Sequence, residues 1–237
     1  MRIGVPKEIK LQENRIGLTP DSVKALTTNG HKVLVENNSG FEAGFDNDQY
    51  KKAGAKIVAN AEDIFNDSEI IVKVKEPLSN EVKMIKENQI IFTYLHLAAS
   101  KELTKALVKS KAVCIAYETV TDDNGRLPLL APMSAIAGRM SIQAGAHSLE
   151  KTQKGRGILL GGAPGVDPST VVILGGGVVG ENAALIATGM KAKVYIVDKS
   201  SQRLEQLKEI FGDTIIPQQS DKADLKKLIS ECVLLIG

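Results

Sequence analysis

"VVILGGGVVGENAALIATGM", residues Val171–Met190, is the stretch that decides the fold. It opens with an apolar run suited to a buried strand, then spaces Gly175, Gly177 and Gly180 as G-x-G-x-x-G and continues into small, helix-compatible residues. That glycine spacing is weak by itself. Between a strand and a helix it reads as a dinucleotide phosphate loop. The three glycines serve different ends. Gly175 permits the tight turn, Gly177 lets backbone approach a pyrophosphate, and Gly180 lets helix press on strand. The helix N-terminus adds N–H donors and partial positive charge. The plainer alternative is a cluster of turn glycines.

The following strand candidate, "KVYIVD", ends at Asp198, 18 residues beyond Gly180, near the roughly 20 expected of an acid that binds a ribose diol. Its charge repels a 2′-phosphate and favours NAD over NADP, an effect that Lys199 and Arg203 weaken. Alternatively, Asp198 simply flanks and caps the next helix. "GGAPGVDPS" is a second glycine-rich loop, but no Gly-Lys-Ser/Thr follows, so it is not a P-loop.

Toward the C-terminus the pattern predicts a helix over Ser201–Phe211, a short strand "TIIP", a helix over Asp221–Glu231 and a closing strand "CVLLIG". In the dinucleotide-binding order 3-2-1-4-5-6 the fourth strand lies beside the first. "CVLLIG" is therefore expected beside "VVIL", in a nucleotide domain truncated after its fourth strand. Toward the N-terminus lies a long helix candidate, "MSAIAGRMSIQAGAHSLEKTQ". Before it, strand candidates "RIGVPKE", "HKVLVE", "KIVA", "EIIVKVK", "QIIFTYLH" and "AVCIAYETV" alternate with helical segments such as "SNEVKMIKEN". The first helix has start and stop signals: Thr19 as N-cap, Pro20 in the first turn and Gly30 as breaker. Such alternation predicts βαβ units and parallel sheets. The expected architecture is α/β, with two doubly wound parallel-sheet domains: a substrate and catalytic domain over 1–128 and a partial Rossmann NAD-binding domain over 129–237.

Composition excludes several classes. The chain has 237 residues, 43% hydrophobic and 24% charged, which is ordinary for a globular protein. A net charge of +2 with scattered lysines leaves no nucleic-acid footprint. No apolar run nears the roughly 18 residues of a membrane span, and the start lacks a secretory apolar segment. Cys114 and Cys232, the only cysteines, lie in strand-like apolar runs and read as buried core thiols. A metal or disulfide framework needs more cysteines at closer spacing. The expected setting is reducing and cytoplasmic, with no metal.

In parallel α/β sheets, ligands bind beyond the carboxyl ends of the strands. At those ends the first half places Arg15, Lys73, Lys75, Tyr94, His96, Tyr117 and Glu118. Arg15 can clamp a carboxylate with its two-pronged guanidinium. Lys75 can hold the remaining oxygens. His96 can exchange a proton near neutrality, as imidazole ordinarily titrates near ~6.5. Together these suit a small anionic substrate that needs proton transfer. Taken singly, each has a plainer role: Arg15 a solvated loop charge, Lys75 beside Glu76 an exposed strand-end pair, His96 a hydrogen-bonded cap before Ser100. His31 and His147 read as structural.

The segments "MRIGVPKEIKLQENRIGLTP", "YLHLAA", "ETV", "LPLLAPMSAIAGRMSIQAGA", "LLGGAPGV" and "VVILGGGVVGENAA" together resemble the bacterial alanine dehydrogenase family, and the likeness runs from Met1 to Gly237. The NAD-binding subunit of proton-translocating transhydrogenase is also similar, at "RIGVPKE" and "R-x-x-x-TP", though it usually lacks the "YLHLA" histidine segment in this form. The resemblance implies a two-domain NAD enzyme, usually a homohexamer, that interconverts L-alanine with pyruvate and ammonium. It implies that Arg15 and Lys75 bind substrate, that His96 is the general acid/base, and that Tyr94 and Met133 wall the pocket. It further implies NAD contacts from Ser134, Gly177, Val178, Val179, Asp198, Arg203 and Ser220. The family's later strands, return helices and catalytic carboxylate are not within these residues. Besides the enzyme, a transhydrogenase subunit and a non-catalytic dinucleotide-binding fragment therefore stay open.

Overall fold

Runs of Val and Ile bury both faces of a strand, and here they form six short ones. These are β1 (Arg2–Val5), β2 (Lys32–Glu36), β3 (Lys56–Val58), β4 (Ile70–Val72), β5 (Ile90–Thr93) and β6 (Val113–Ala116). In this computed structural model, which describes residues 1–221 and 223–237, they pair in parallel in the order β3-β2-β1-β4-β5-β6. The linking helices are α1 (Pro20–Thr28), α2 (Asn47–Lys52), α3 (Ala61–Asp67), α4 (Ser79–Val82) and α5 (Lys101–Ser110).

The period-two alternation of strand side chains sorts the core into two layers. Ile3, Val5, Val33, Val35 and Val72 face Val23 of α1 and Tyr50 of α2. Leu34, Ile71 and Ile91 face Ile64 and Phe65 of α3 and Leu107 of α5. Helices thus cover both faces, which is the doubly wound arrangement. Thr19 caps α1 by accepting from Ser22 N at 3.3 Å, with Pro20 in the first turn.

The chain divides into two compact units, Met1–Leu129 and Leu130–Gly237. The second begins with α6 (Ala131–Ser148) and continues through β7 (Thr170–Leu174), α7 (Val178–Gly189), β8 (Lys193–Asp198), α8 (Ser201–Phe211), β9 (Ile215–Gln219), α9 (Leu225–Glu231) and β10 (Leu234–Ile236). Its sheet order is β10-β7-β8-β9, all parallel. Leu234, Leu235 and Ile236 stand opposite Val171, Val172 and Ile173. The closing strand therefore lies beside the first strand of its unit, as expected. Ile142 of α6, Ala183, Ala184 and Ala187 of α7, and Leu204 and Leu207 of α8 join the strands in one core.

Several expectations need correction. The helix foreseen over "SNEVKMIKEN" stops at Val82. Beyond it, Met84 and Ile85 bond back only three residues, to Glu81 O and Val82 O, and Asn88 turns left-handed at φ 65°. The run "IIVKVK" leaves the sheet after Val72, and "AVCIAYETV" after Ala116, where Tyr117–Thr119 coil into a 3-10 turn. The helix expected over Asp221–Glu231 includes Lys222, which lies outside the described residues. The helix seen is Leu225–Glu231, capped by the Asp224 side chain accepting from Lys227 N at 3.0 Å. Neither cysteine is a fully buried core thiol, for both are half-buried. Cys114 sits on β6, an edge strand covered on fewer sides. Cys232 closes α9, with its thiol 3.3 Å from Ile229 O.

The glycine loop shows why its residues are small. Gly175 turns at φ 98°, where a side chain is strained. A Cβ on Gly180 would lie 1.9 Å from the carbonyl oxygen of Gly175. Backbone cannot swing aside as a flexible side chain can. Gly180→Ala should therefore destabilise the second unit by about 1–3 kcal/mol, the usual cost of forced overpacking. Urea unfolding measures this, and a variant as stable as the parent would contradict the tight β7–α7 approach.

Candidate functional site

In the first unit the parallel sheet presents the carboxyl ends of β1, β4, β5 and β6 at one edge, and the loops leaving those ends carry the polar residues. Arg15 comes from the loop after β1. Its Nε and Nη2 donate to Glu13 Oε1 and Oε2 at 2.8 and 2.6 Å, a two-pronged clasp. The Arg15 hydrogen bonds hold the Glu13 carboxyl below its ordinary range, against the opposing push of burial. Arg15 lies in the wall of a pocket of about 480 Å³ with Phe45, Phe92, Tyr94, Tyr117 and Leu129. The aromatic rings brace one another edge to face: Phe92 to Tyr117 at 4.4 Å and Tyr94 to Tyr117 at 5.0 Å between centroids. The Tyr94 hydroxyl donates to Leu129 O at 2.5 Å. Burial pushes both phenols above their ordinary range.

The two lysines after β4 have different environments. Lys73 is buried, its ammonium 2.8 Å from Glu81 Oε1 and 3.3 Å from Glu8 Oε2. Glu8 also accepts from Val74 N at 2.6 Å and Lys75 N at 3.4 Å. It thereby ties the segment after β1 to the end of β4. Lys73 lines the Arg15 pocket, as Lys75 does not, but its ammonium is already paired with Glu8 and Glu81. Lys75 is half-buried, and its carbonyl accepts from Thr93 Oγ1 at 2.9 Å.

His96 follows β5 in a left-handed conformation, φ 49° and ψ 38°. Glu118, in the 3-10 turn after β6, compensates for that unusual backbone by accepting from the N–H groups of Leu95 (3.1 Å) and His96 (2.7 Å). His96 does not cap α5, whose N-cap is Ser100 accepting from Leu103 N. Its imidazole Nδ1 stands 3.1 Å from Glu76 Oε2, and Glu76 Oε1 is ion-paired with Lys10. The Tyr94 and His96 rings are 6.0 Å apart. Arg15 and Tyr94 thus share the pocket, while His96 lies in a neighbouring groove with Leu97, Ala116 and Glu118. Glu13, Lys10 and the pairing role of Glu76 were not anticipated. A glutamate adjacent to a lysine or two residues before an arginine is common, and only the loop's path brings either partner into reach.

In the second unit the glycine loop is clamped from two sides. Asp198 Oδ2, at the end of β8, accepts from Gly176 N at 2.6 Å, and Oδ1 from Ser200 N at 2.8 Å. Arg203 Nε, on α8, donates to Gly176 O at 2.6 Å, and its Nη2 pairs with Glu181. Both polar groups of one loop residue are fixed. The N–H groups of Ser200 and Gly176 outweigh partial burial and hold the Asp198 carboxyl below its ordinary range. Ser220 follows β9 and donates its N–H to Asp198 O at 3.0 Å. Gly177 caps α7, and the place of its missing Cβ has no atom within 4 Å. Val178 and Val179 form the first turn of α7, and Met133 and Ser134 the first turn of α6. Among the described residues no His, Cys, Asp or Glu cluster is arranged to hold a metal, and no helix is long and apolar enough to cross a membrane.

Two parallel sheets whose strand orders follow the dinucleotide-binding pattern, one with a clamped G-x-G-x-x-G loop, define the class: a Rossmann-type α/β chain. Residues 4–137 match the N-terminal domain, and 141–237 the C-terminal domain, described as "Alanine dehydrogenase/PNT". The chain belongs to that family. It is 52% identical to alanine dehydrogenase of Methanococcus maripaludis, covering 100% of this chain and 64% of that protein. It is 50% identical to alanine dehydrogenase of Bacillus subtilis, covering 100% and 62%. A solved L-alanine dehydrogenase superposes with a TM-score of 0.92 at 51% identity, over 100% of this chain and 65% of that one. Transhydrogenase from Sinorhizobium meliloti, at 22% identity and a TM-score of 0.75 over 91% of this chain and 64% of that one, shares the fold. The chain thus spans under two thirds of the length of these relatives.

Proposed function

We propose that the chain supplies the substrate site and the adenosine side of the cofactor site of an NAD-dependent alanine dehydrogenase, which converts L-alanine reversibly to pyruvate and ammonium. The observation that carries this is the placement of Arg15 in an aromatic-walled pocket at the carboxyl edge of a parallel sheet, one ring away from His96. The names of the relatives support it.

The residues fit a dinucleotide. Open space at Gly177 admits a pyrophosphate, the start of α7 offers N–H donors, and Asp198 stands at the strand end where a ribose diol binds. Val178, Val179, Ser134, Arg203 and Ser220 would complete the contacts. NAD, when bound, supplies the hydride acceptor. The chain's own residues do the rest. Arg15 and Lys75 hold the substrate carboxylate and carbonyl oxygen, fixing the orientation of Cα. Tyr94 and Met133 confine the methyl group. After hydride leaves Cα, His96 takes a proton from the water that adds there, then returns one to the departing amine. A homohexamer in the cytoplasm belongs to the same proposal and rests on the family resemblance.

The test is direct. The full-length enzyme should form NADH from alanine and consume it with pyruvate plus ammonium. No change in either direction refutes the assignment, and hydride exchange with NADP in its place favours the transhydrogenase subunit. Asp198→Asn puts an amide donor against one of two N–H groups that now meet a carboxylate. Hydrogen bonds to charge contribute about 1.5–3 kcal/mol, so NAD should bind about 10- to 100-fold more weakly by calorimetric titration. An unchanged dissociation constant would remove Asp198 from the cofactor site.

A further inference from the structure

We propose that Glu76 is a positioning residue that sets the proton of His96 on Nδ1 and leaves Nε2 as the atom that exchanges protons, with Lys10 locking the Glu76 carboxylate in place. This rests on His96 being the acid/base of the proposed reaction, but its structural part stands independently.

The geometry is a chain of three side chains drawn from three loops. Glu76 follows β4, His96 follows β5 and Lys10 follows β1. Glu76 Oε2 is 3.1 Å from His96 Nδ1, and the other oxygen is ion-paired with Lys10. An ionised carboxylate only accepts hydrogen bonds. Burial pushes the Glu76 carboxyl up, but the hydrogen bonds from Lys10, its own backbone and His96 outweigh that and hold it below the ordinary range. It is therefore ionised near neutrality, and the ring nitrogen facing it must carry a proton. In a neutral imidazole the second nitrogen is then an acceptor.

The arrangement also fixes where the ring stands. Glu118 pins the His96 backbone through its N–H, and Glu76 pins the ring. Glu76 is only 16% exposed, whereas the His96 side chain is 46% exposed. The carboxylate is thus the more sheltered partner, and the imidazole keeps nearly half of its surface exposed. Glu76 is not in the lining of the Arg15 pocket, so its effect on chemistry passes through His96. Lys10 occupies the second oxygen, which limits rotation of the carboxylate away from the ring.

The test reads the tautomer without any turnover. Ring nitrogens of the isotope-labelled 237-residue chain are observed by long-range proton–nitrogen correlation, about two pH units above the ordinary imidazole value of roughly 6.5. His96 is assigned by its absence in His96→Asn. The parent chain should show His96 protonated on Nδ1, and Glu76→Ala should shift it toward Nε2. Glu76→Gln, whose amide oxygen still accepts, should retain most of the Nδ1 form. A parent spectrum with the proton on Nε2, or no response to Glu76→Ala, overturns the proposal. In the full-length enzyme Glu76→Ala should lower kcat by about 10- to 100-fold and leave KM for alanine within a few-fold. An unchanged kcat also overturns it. If the full-length parent has no alanine activity, the functional assignment fails while the tautomer result still stands.

Discussion

Replacing His96 by asparagine in the full-length enzyme should lower kcat for alanine deamination by about 10²- to 10⁴-fold, the usual contribution of a positioned acid/base. KM for alanine should change little, because the proposed function gives the carboxylate to Arg15 and Lys75. NAD affinity should not change, because the glycine loop and Asp198 belong to another set of strand ends. Asparagine suits the test because its backbone tolerates the left-handed conformation that His96 adopts. It keeps the turn and removes the titrating ring. Steady-state kinetics in both directions provide the measurement, and turnover equal to the parent's would end the assignment of His96. The contrasting substitution is Arg15→Lys, which keeps the charge but loses the two-pronged geometry. It should appear mainly as a higher KM.

The largest expected effect on stability comes from Lys73→Met. Lys73 is 1% exposed and Glu8 and Glu81 each 2% at the side chain. Without the cation, two buried carboxylates face each other uncompensated. Breaking a buried ion pair from one side typically costs about 3–5 kcal/mol, a large share of the ~5–15 kcal/mol that holds a domain together. The loss should depend on pH in a defined direction. Burial already raises the Glu8 carboxyl above its ordinary 4.5, with Lys73 and Val74 N–H opposing. Removing Lys73 raises it further. The folded state then binds more protons than the unfolded chain between the unfolded and folded values, so stability falls as pH rises through that window. The variant should regain stability relative to the parent on acidification from neutrality toward 4.5. Denaturant titrations at several pH values test this, and a deficit independent of pH would show that Glu8 does not carry the cost.

Much of this was legible in the residues themselves. The G-x-G-x-x-G spacing between "VVIL" and a helical run marked the tight turn from β7 into α7, because only glycine fits both a φ of 98° at Gly175 and the backbone contact at Gly180. The place of "CVLLIG" beside β7 followed from the strand order of that fold. Thr19 and Pro20 marked the first helix through local capping chemistry. Arg15, Tyr94 and His96 could be named as strand-end groups because a parallel sheet brings all its carboxyl ends to one edge.

The rest depends on contacts distant in sequence. Lys73 and Lys75 are two residues apart in the same run and look alike. What separates them is Glu8 and Glu81, brought in by the loop after β1 and by α4. The partnership of Glu76 with His96 and Lys10 spans three loops, and no local signal distinguishes that carboxylate from an exposed one. The clasp of Arg15 by Glu13 depends on the curl of a single loop. By itself the sequence determined the parallel α/β units, the tight glycine turn between β7 and α7 and the place of the closing strand, because periodicity and glycine sterics act locally. Only the tertiary structure decided which charges are buried and neutralised and which carboxylate faces the His96 ring, because those depend on which distant groups the folded loops bring within hydrogen-bonding distance.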